Sequence, residues 1–147
     1  MKILVQKYYV DTSVWLNLFK KEGDETKGIP FWKSAEDFIA YVEQHEGTIF
    51  VSTIVLKESY FKLQEKFQVA KDFFKNHKNI KIIKTTNDDY ELARRLEQTH
   101  SFKLSFYDFL HIAIAKRLSV PLITRDGDLI EVAKELISVK KPENLIR

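Results

Sequence analysis

Four acidic residues stand in apolar surroundings, at points where a strand can end or a helix can begin. They are Asp11 after Tyr8-Tyr9-Val10, Glu58 after Leu56-Lys57, Asp108 after Phe106-Tyr107, and Asp126 after Leu122 to Arg125. A carboxylate beside a hydrophobic core is costly unless it is paired, hydrogen-bonded or bound to a metal. If the four converge, they offer an oxygen-rich site for a hard cation such as Mg²⁺ or Mn²⁺.

The chemistry that such a site supports is hydrolysis of a phosphodiester bond. Two divalent ions about 4 Å apart can activate a water molecule and stabilise the leaving oxygen. Clustered carboxylates without cations repel each other, and metal binding relieves that repulsion. Thr12, Ser13 and Thr124 supply hydroxyls beside the acids, where they can orient a carboxylate or a water molecule.

Each acid also has an ordinary structural interpretation. The four interpretations are an N-cap or turn for Asp11, a helical partner of Lys62 for Glu58, a capping pattern with Ser105 for Asp108, and a turn around Gly127 for Asp126. Taken singly, these are at least as good as a functional interpretation. They do not explain why all four acids should fall at the same end of one sheet.

The elements that must position the acids alternate between strands and helices. Strands are predicted at Tyr8–Val10 (beginning as early as Ile3), Thr48–Val51, Ile80–Ile83, Val120–Thr124 and Ile137–Val139. Helices are predicted after Thr12, from Trp32 to His45, from Ser52 with a break to Phe74, from a Thr86–Asp89 capping box to Gln98, from Ser105 to Leu118, and from Asp128 to Lys134. Lys20 to Pro30 is predicted to be an irregular loop, and the tail from Lys140 onward is expected at the surface.

The strands are continuous apolar runs, which predicts a parallel sheet covered by helices on both faces. Ligands of such sheets bind beyond the carboxyl ends of the strands, near a topological switch point. The four acids can meet there. One domain over residues 1–147 accommodates all of these elements.

The composition of the chain excludes several kinds of site and several classes of protein. Zero cysteines exclude disulfides, Fe–S clusters and thiolate zinc sites, and fit a cytoplasmic protein. No apolar run approaches the ~18 residues of a membrane span, so no membrane association is expected. The net charge of +3 is mild for a dedicated nucleic-acid binder. The histidines form no His-x-x-x-His pair, and no glycine-rich phosphate motif is present.

Several neighbours of the acids have two interpretations. His111, one helical turn after Asp108, can lie behind the acids, but a packed or partly exposed helical position is the stronger expectation. Lys57, Lys103 and Arg125 can contact phosphates, but ordinary solvated charges are the stronger expectation. The rings of Phe102, Phe106, Tyr107 and Phe109 can stack on bases, and core positions are favoured for Phe106 and Phe109.

These segments, in their order, resemble the PIN domain family. The resemblance rests on Val10-Asp11-Thr12-Ser13-Val14, on Glu58, on Leu104-Ser105-Phe106-Tyr107-Asp108 and on Leu122 to Asp128, and it covers nearly the whole chain. It implies a three-layer α/β/α sandwich with a central parallel sheet, and metal-dependent cleavage of RNA. By this resemblance Asp11, Glu58, Asp108 and Asp126 match the family's acidic quartet. Ser13 matches its hydroxyl near the first acid, and Asp128 a further acid that is often present.

The size of the chain suits the VapC-type toxins of that family, which are usually dimeric and silenced by a cognate antitoxin. The resemblance therefore implies an Mg²⁺- or Mn²⁺-dependent endoribonuclease of a type II toxin–antitoxin pair, with RNA as substrate and a homodimeric state. Two departures are the long charged loop from Lys20 to Phe31 and Leu129, which stands where an aromatic often follows. A non-catalytic PIN-fold module that binds RNA or protein is the alternative, and four clustered acids argue against it. A receiver-like signalling domain lacks the required acidic pair and lysine.

Overall fold

The computed structural model describes residues 6–146, which form five β-strands and seven α-helices. The strands are β1 (Lys7–Val10), β2 (Thr48–Ser52), β3 (Ile80–Ile83), β4 (Leu122–Ile123) and β5 (Val139–Lys140). The helices are α1 (Thr12–Lys20), α2 (Phe31–Gln44), α3 (Thr53–Leu63), α4 (Phe67–Asn76), α5 (Asn87–Thr99), α6 (Phe106–Leu118) and α7 (Gly127–Ala133). Short 3₁₀ helices occupy Glu25–Lys27, Gln64–Lys66 and Pro142–Leu145. The predicted extension of the first strand to Ile3 lies outside the described residues.

The sheet is parallel throughout, in the order β3-β2-β1-β4-β5. Strand β1 is central and pairs with β2 through Tyr8 and Ile49, and with β4 through Tyr9 and Leu122. The chain builds outward from β1 on one side before it crosses to β4 on the other. The switch point therefore lies between the carboxyl ends of β1 and β4, which is where open parallel sheets bind their ligands.

Helices cover both faces of the sheet, so the predicted three-layer α/β/α sandwich is confirmed. Successive residues of β1 point to opposite faces, as in any strand. Tyr8 and Val10 pack into a core with α1, α2 and α4, whereas Tyr9 packs into a second core formed largely by α6 and α7. Burial on both faces is the reason why the strands are apolar without alternation.

Several helix ends are set by the residues that the sequence singled out. Asp11, Ser52, Ser105 and Asp126 accept backbone N–H bonds at the starts of α1, α3, α6 and α7. The predicted capping box of Thr86 and Asp89 is confirmed at the start of α5. The predicted break after α3 is also confirmed, with Gln64 at φ +53°. N-caps place these side chains at the carboxyl end of the sheet.

The loop before α2 depends on one glycine. Gly23 has φ +130°, a backbone conformation that residues with a side chain rarely adopt. A Cβ at this position would also lie 2.4 Å from the backbone nitrogen of Phe31. The chain therefore needs glycine where it turns from α1 toward α2.

The last third of the chain departs from the prediction in three places. Strand β4 is two residues long because Pro121 has no N–H for the ladder, although its carbonyl accepts the N–H of Tyr9 at 3.0 Å. Strand β5 begins at Val139 rather than ending there. The expectation of a surface tail holds for the exposed Lys140, Lys141 and Asn144, but it is wrong for Pro142, which is buried, and for Leu145, which packs against the core. None of the described helices is long and apolar enough to span a membrane.

Candidate active site

The four acids surround one cavity of about 160 Å³ at the switch point of the sheet. Asp11 comes from the end of β1, Glu58 from α3, Asp108 from the first turn of α6, and Asp126 from the cap of α7. The full lining is Asp11, Thr12, Ser13, Leu16, Glu58, Lys62, Asp108, His111 and Asp126. Four separate elements thus bring to one place the acids that the sequence analysis selected.

Asp11 is buried and held at both carboxylate oxygens. Its Oδ1 accepts the hydroxyl of Ser13 at 2.7 Å and the Ser13 backbone N–H at 3.2 Å. Its Oδ2 accepts the hydroxyl of Thr124 at 2.9 Å. Hydroxyl donors satisfy the carboxylate without neutralising it, so Asp11 keeps a full negative charge available when it is ionised.

Glu58 is half-buried and is held by two donors. Thr12 donates its hydroxyl to Oε1 at 2.6 Å, and His111 Nε2 lies 2.7 Å from the same oxygen. His111 Nδ1 in turn lies 2.6 Å from the hydroxyl of Tyr9, which is 2.8 Å from Ser52 Oγ. Glu58 hydrogen-bonds to this network and not to Lys62, whose charge still acts on Glu58 from the lining of the cavity.

Asp108 and Asp126 reach the cavity from two helix starts. The N–H of Asp108 donates to Ser105 Oγ at 3.3 Å, so Ser105 is the cap of α6. Asp108 itself lines the cavity. Asp126 Oδ1 accepts the N–H groups of Asp128 and Leu129 and caps α7. Asp126 therefore caps α7, as the structural interpretation predicted, and also lines the cavity.

The protonation properties of the site follow from burial and from mutual repulsion. Burial raises the pKa of Asp11 to about 6; His111 and the two hydroxyls oppose the shift, and Asp108 adds to it. Burial also raises the pKa of Asp108. For Glu58, burial acts upward, but the bond and charge of His111 outweigh it and the pKa falls below its ordinary value. Burial lowers the pKa of His111, but Glu58 and Asp11 outweigh it and the net shift is upward.

The donor set fits a hard divalent cation. All four acids offer oxygen, and the site holds no thiolate because the chain has no cysteine. Within residues 6–146, no three His, Asp or Glu side chains stand close enough together to hold an ion as they lie. The carboxylates surround the cavity instead of closing on one point, which is the arrangement that repulsion between acids favours.

Asp128 is not brought to this cavity. It is exposed and lines a neighbouring shallow pocket with Lys103, Leu104, Glu131 and Val132. Its backbone N–H, and not its carboxylate, contacts Asp126. As a metal ligand it remains a prediction.

The basic neighbours have three different environments. Lys57 and Lys103 are exposed, as expected, and Lys57 Nζ lies 5.4 Å from the centre of the Tyr107 ring. The expectation of a solvated Arg125 is wrong. Its guanidinium forms a bidentate pair with Glu143 at 2.5 and 2.6 Å and lies over the ring of Phe31 at 4.4 Å. Its charge is thus paired with Glu143, and Arg125 is not part of the cavity lining.

A place for His111 behind the acids was the weaker of two predictions, and Tyr9 was not predicted to lie at the site. His111 is packed, as expected, with 1 % of its side chain exposed, but it also bonds to an acid of the cavity. The spacing of one turn from Asp108 was the available signal. Tyr9 gave none, because a tyrosine in an apolar strand looks like any other core residue.

Comparison with known proteins gives one family and a consistent fold. The profile of the PIN domain matches residues 8–135. A comparison with curated protein sequences gives no significant match.

Solved structures with the same fold include toxins and toxin–antitoxin complexes. VapBC2 from Rickettsia felis, bound to a DNA fragment of its promoter, superimposes with a TM-score of 0.70 at 17 % identity, over 92 % of this chain and 98 % of that one. VapC20 of Mycobacterium tuberculosis, a sarcin–ricin loop cleaving toxin, gives 0.65 at 21 % identity, over 84 % and 93 %. A toxin–antitoxin complex from Klebsiella pneumoniae gives 0.65 at 21 % identity, over 92 % and 97 %.

Proposed function

Because this chain belongs to the PIN domain family, we propose that it is a metal-dependent endoribonuclease and the toxin of a type II toxin–antitoxin pair. The observation that carries the proposal is the convergence of Asp11, Glu58, Asp108 and Asp126 on one small cavity from four different elements. A chain that used these acids only as caps and turns would not need them to face one another.

The proposed cofactor is Mg²⁺ or Mn²⁺, held by the four acids, with Asp128 as an outer acid beyond the cavity. When bound, such ions neutralise charge on the scissile phosphate and activate water as the nucleophile. The buried charge of Asp11 supports this assignment. Its raised pKa means that the ionised carboxylate is unfavourable in the metal-free protein, and a cation would relieve that cost.

In the proposed reaction, some residues of the chain position the acids and others accept a proton. Ser13 and Thr124 hold the carboxylate of Asp11 in one orientation, and Thr12 and His111 hold that of Glu58. The water that attacks phosphorus loses a proton to Asp11 or Asp108, whose pKa values burial raises. The new oxygen–phosphorus bond forms as the bond to the leaving ribose oxygen breaks.

RNA as the substrate class is supported by the edge of the cavity. Lys57 and Tyr107 each precede a cavity acid by one residue and contact each other across α3 and α6. Lys62 stands on the cavity lining. Cations beside a partly exposed ring suit a phosphate backbone whose bases can stack. VapC20, which shares this fold, is a sarcin–ricin loop cleaving toxin.

Partner proteins are proposed on two grounds. The Rickettsia felis and Klebsiella pneumoniae structures are toxin–antitoxin complexes, which supports a cognate antitoxin here. For a homodimer we propose the outer α3–α4 face, defined by Tyr60, Phe61 and Val69, whose side chains are 59 to 64 % exposed. Large apolar side chains grouped on a surface mark interaction sites. On α2, Ala35, Phe38 and Val42 are buried in the core and do not supply such a surface.

One observation favours the alternative of a non-catalytic RNA- or protein-binding module. The acids of residues 6–146 are not close enough, as they lie, to coordinate an ion. A module of this kind would bind RNA without Mn²⁺ and without loss on chelation.

The deciding experiment is cleavage of end-labelled structured RNA with Mn²⁺, with EDTA, and with an Asp108→Asn protein. Cleavage by wild type alone, lost with EDTA, is the expected result. Induced expression should also arrest growth with wild type and not with Asp108→Asn. Glu91→Gln, at an exposed position of α5, is the matched acid-to-amide control. A folded Asp108→Asn protein that cleaves as wild type does would exclude the assignment.

A further inference from the structure

His111 contacts one of the cavity acids, Glu58, and both of its ring nitrogens are engaged. It sits on α6 one turn after Asp108, and 1 % of its side chain is exposed. Nε2 is 2.7 Å from Glu58 Oε1, and Nδ1 is 2.6 Å from the Tyr9 hydroxyl. Since a carboxylate only accepts, Nε2 carries a proton and donates it to Glu58.

Tyr9 connects this contact to the start of the helix that carries Glu58. Its hydroxyl is 2.8 Å from Ser52 Oγ, and Ser52 accepts the Val55 N–H as the N-cap of α3. A chain of buried hydrogen bonds thus leaves the cap of α3, passes through β1 and α6, and returns to α3 at Glu58. Such a chain fixes the position of its last member when every link is made.

The hydrogen bonds to Glu58 are unevenly distributed. Both bonds that the described part of the chain makes to this carboxylate, from Thr12 and His111, fall on Oε1. The other oxygen is left as the one that can meet a ligand in the cavity. A glutamate held in this way has already lost side-chain freedom that it would otherwise lose on binding.

We propose that His111, supported by Tyr9, is a positioning residue that holds Glu58 by Oε1 and presents Oε2 to the divalent cation. The inference rests on the proposed function, since it concerns Glu58 as a ligand. In this proposal α6 contributes to the site twice. One turn of the helix supplies Asp108 to the cavity, and the next turn supplies His111, which holds Glu58.

A purely structural role for His111 predicts a different outcome. A packed polar residue that only satisfies buried atoms would change the free energy of unfolding, and not the affinity for a cation in a variant that still folds. The readout is therefore Mn²⁺ affinity by isothermal titration calorimetry on folded protein, with thermal unfolding measured beside it.

The test compares two amides at position 111. Gln carries its N–H near the position of Nε2, whereas Asn carries it near Nδ1. We expect His111→Asn to lower Mn²⁺ affinity about 10- to 100-fold, the usual effect of losing a partner behind a ligand. His111→Gln should recover most of that loss. Cleavage of RNA should follow the same order.

Two matched controls isolate the effect. The ring nitrogens of His77 contact Glu43 at 3.1 Å and the backbone N–H of Asn79. His77→Asn therefore removes a comparable contact between a histidine Nε2 and a glutamate, at a site that is not on the cavity lining. Tyr8→Phe removes a hydroxyl from the same strand on its opposite face. Both should leave Mn²⁺ affinity unchanged, whereas Tyr9→Phe should lower it severalfold.

The outcomes are distinct. If the Asn and Gln proteins bind Mn²⁺ within twofold of wild type, or lose affinity equally, the positioning role is overturned while the nuclease stands. If His111→Asn does not fold, Tyr9→Phe against Tyr8→Phe decides the question. A wild type that neither binds Mn²⁺ nor cleaves RNA overturns the proposed function and this inference with it.

Discussion

The hydroxyl of Thr124 donates to Asp11 Oδ2 at 2.9 Å and so joins the carboxyl ends of β1 and β4, which are neighbours in the sheet. Ser13 completes the arrangement, since its hydroxyl is 2.7 Å from the other oxygen of Asp11 and 3.3 Å from Thr124 Oγ1. The first acid of the cavity is therefore oriented by residues at both ends of the sequence.

Thr124→Val should weaken the site while the fold persists. Valine keeps the shape but removes the donor, which leaves a buried carboxylate oxygen unsatisfied at a cost of about 1–3 kcal/mol. Mn²⁺ affinity and RNA cleavage should both fall, and chemical denaturation and calorimetry measure the two effects. Thr26 donates to Asp24 at 2.6 Å in an exposed loop, and Thr26→Val should change neither property. Unchanged Mn²⁺ affinity in Thr124→Val would contradict the role of the hydroxyl.

The free energy of unfolding of the metal-free protein should depend on pH because of Asp11. Its pKa is about 6 in the folded protein against an ordinary 3.8, so the folded state binds the proton more tightly. The free energy of unfolding therefore falls as the pH rises from about 4 to about 6, by up to about 3 kcal/mol.

Asp11→Asn removes the part of that dependence that Asp11 contributes, while the raised pKa of Asp108 still contributes its own part. In EDTA the variant should be more stable than wild type at pH 7, and the difference should vanish near pH 4, as urea denaturation at several pH values will measure. Asp24→Asn is the control, because hydrogen bonds from Thr26 lower the pKa of Asp24, so removing its charge should not stabilise the protein. An Asp11→Asn protein less stable than wild type at pH 7 would refute the assignment of the shift to burial.

Divalent cation should stabilise wild type and not the acid variants. A ligand at a hundredfold excess over its Kd adds about 2.7 kcal/mol to the free energy of unfolding. Mn²⁺ should therefore raise the melting temperature of wild type and leave Asp11→Asn and Asp108→Asn unchanged, with Ca²⁺-free EDTA buffer as the baseline. Equal stabilisation of all three proteins would indicate binding elsewhere.

Breaking the pair of Arg125 and Glu143 should destabilise the protein. Arg125 is 12 % exposed and Glu143 is 29 % exposed, so Glu143→Gln leaves a largely buried charge without its partner. The expected loss is about 2–3 kcal/mol, below the range for fully buried pairs because of residual exposure. Thermal and urea denaturation measure it. Glu36→Gln breaks the exposed pair with Lys33 and should have no measurable effect. A loss equal to that control would show that the pair contributes nothing.

Phe61→Glu should change the oligomeric state. A charge on the outer α3–α4 face would oppose its burial against a second copy, so a wild-type dimer should become a monomer in light scattering. Phe102→Glu is the control, because that ring is equally exposed, at 65 %, in the loop between α5 and α6. A monomeric wild type at high concentration, or a dimeric Phe61→Glu protein, would exclude this face as the dimer interface.

The sequence predicted the parts of the fold that depend on local pattern. Apolar strands and cap residues can be recognised from stretches of a few residues. Asp11 and Ser105, for example, cap α1 and α6 at the positions that the sequence predicts. The convergence of the acids was also predictable, because carboxyl ends of parallel strands share one edge.

Long-range pairing was not predictable. Tyr9 and His111 are 102 residues apart, and Arg125 and Glu143 meet only once β5 and the last 3₁₀ helix are in place. No periodicity marks such contacts, which depend on the packing of distant elements. For the same reason Arg125 looked solvated and Pro142–Leu145 looked like a surface tail.

The link between Asp11 and Thr124 has a consequence for synthesis on the ribosome. Proteins emerge from their N-terminus at about 5–20 residues per second. A nascent chain exposes Asp11 early but gains the Thr124 hydroxyl only 113 residues later, followed by Asp126. On the proposed function, the growing polypeptide therefore has no complete site until residue 126 has left the ribosome.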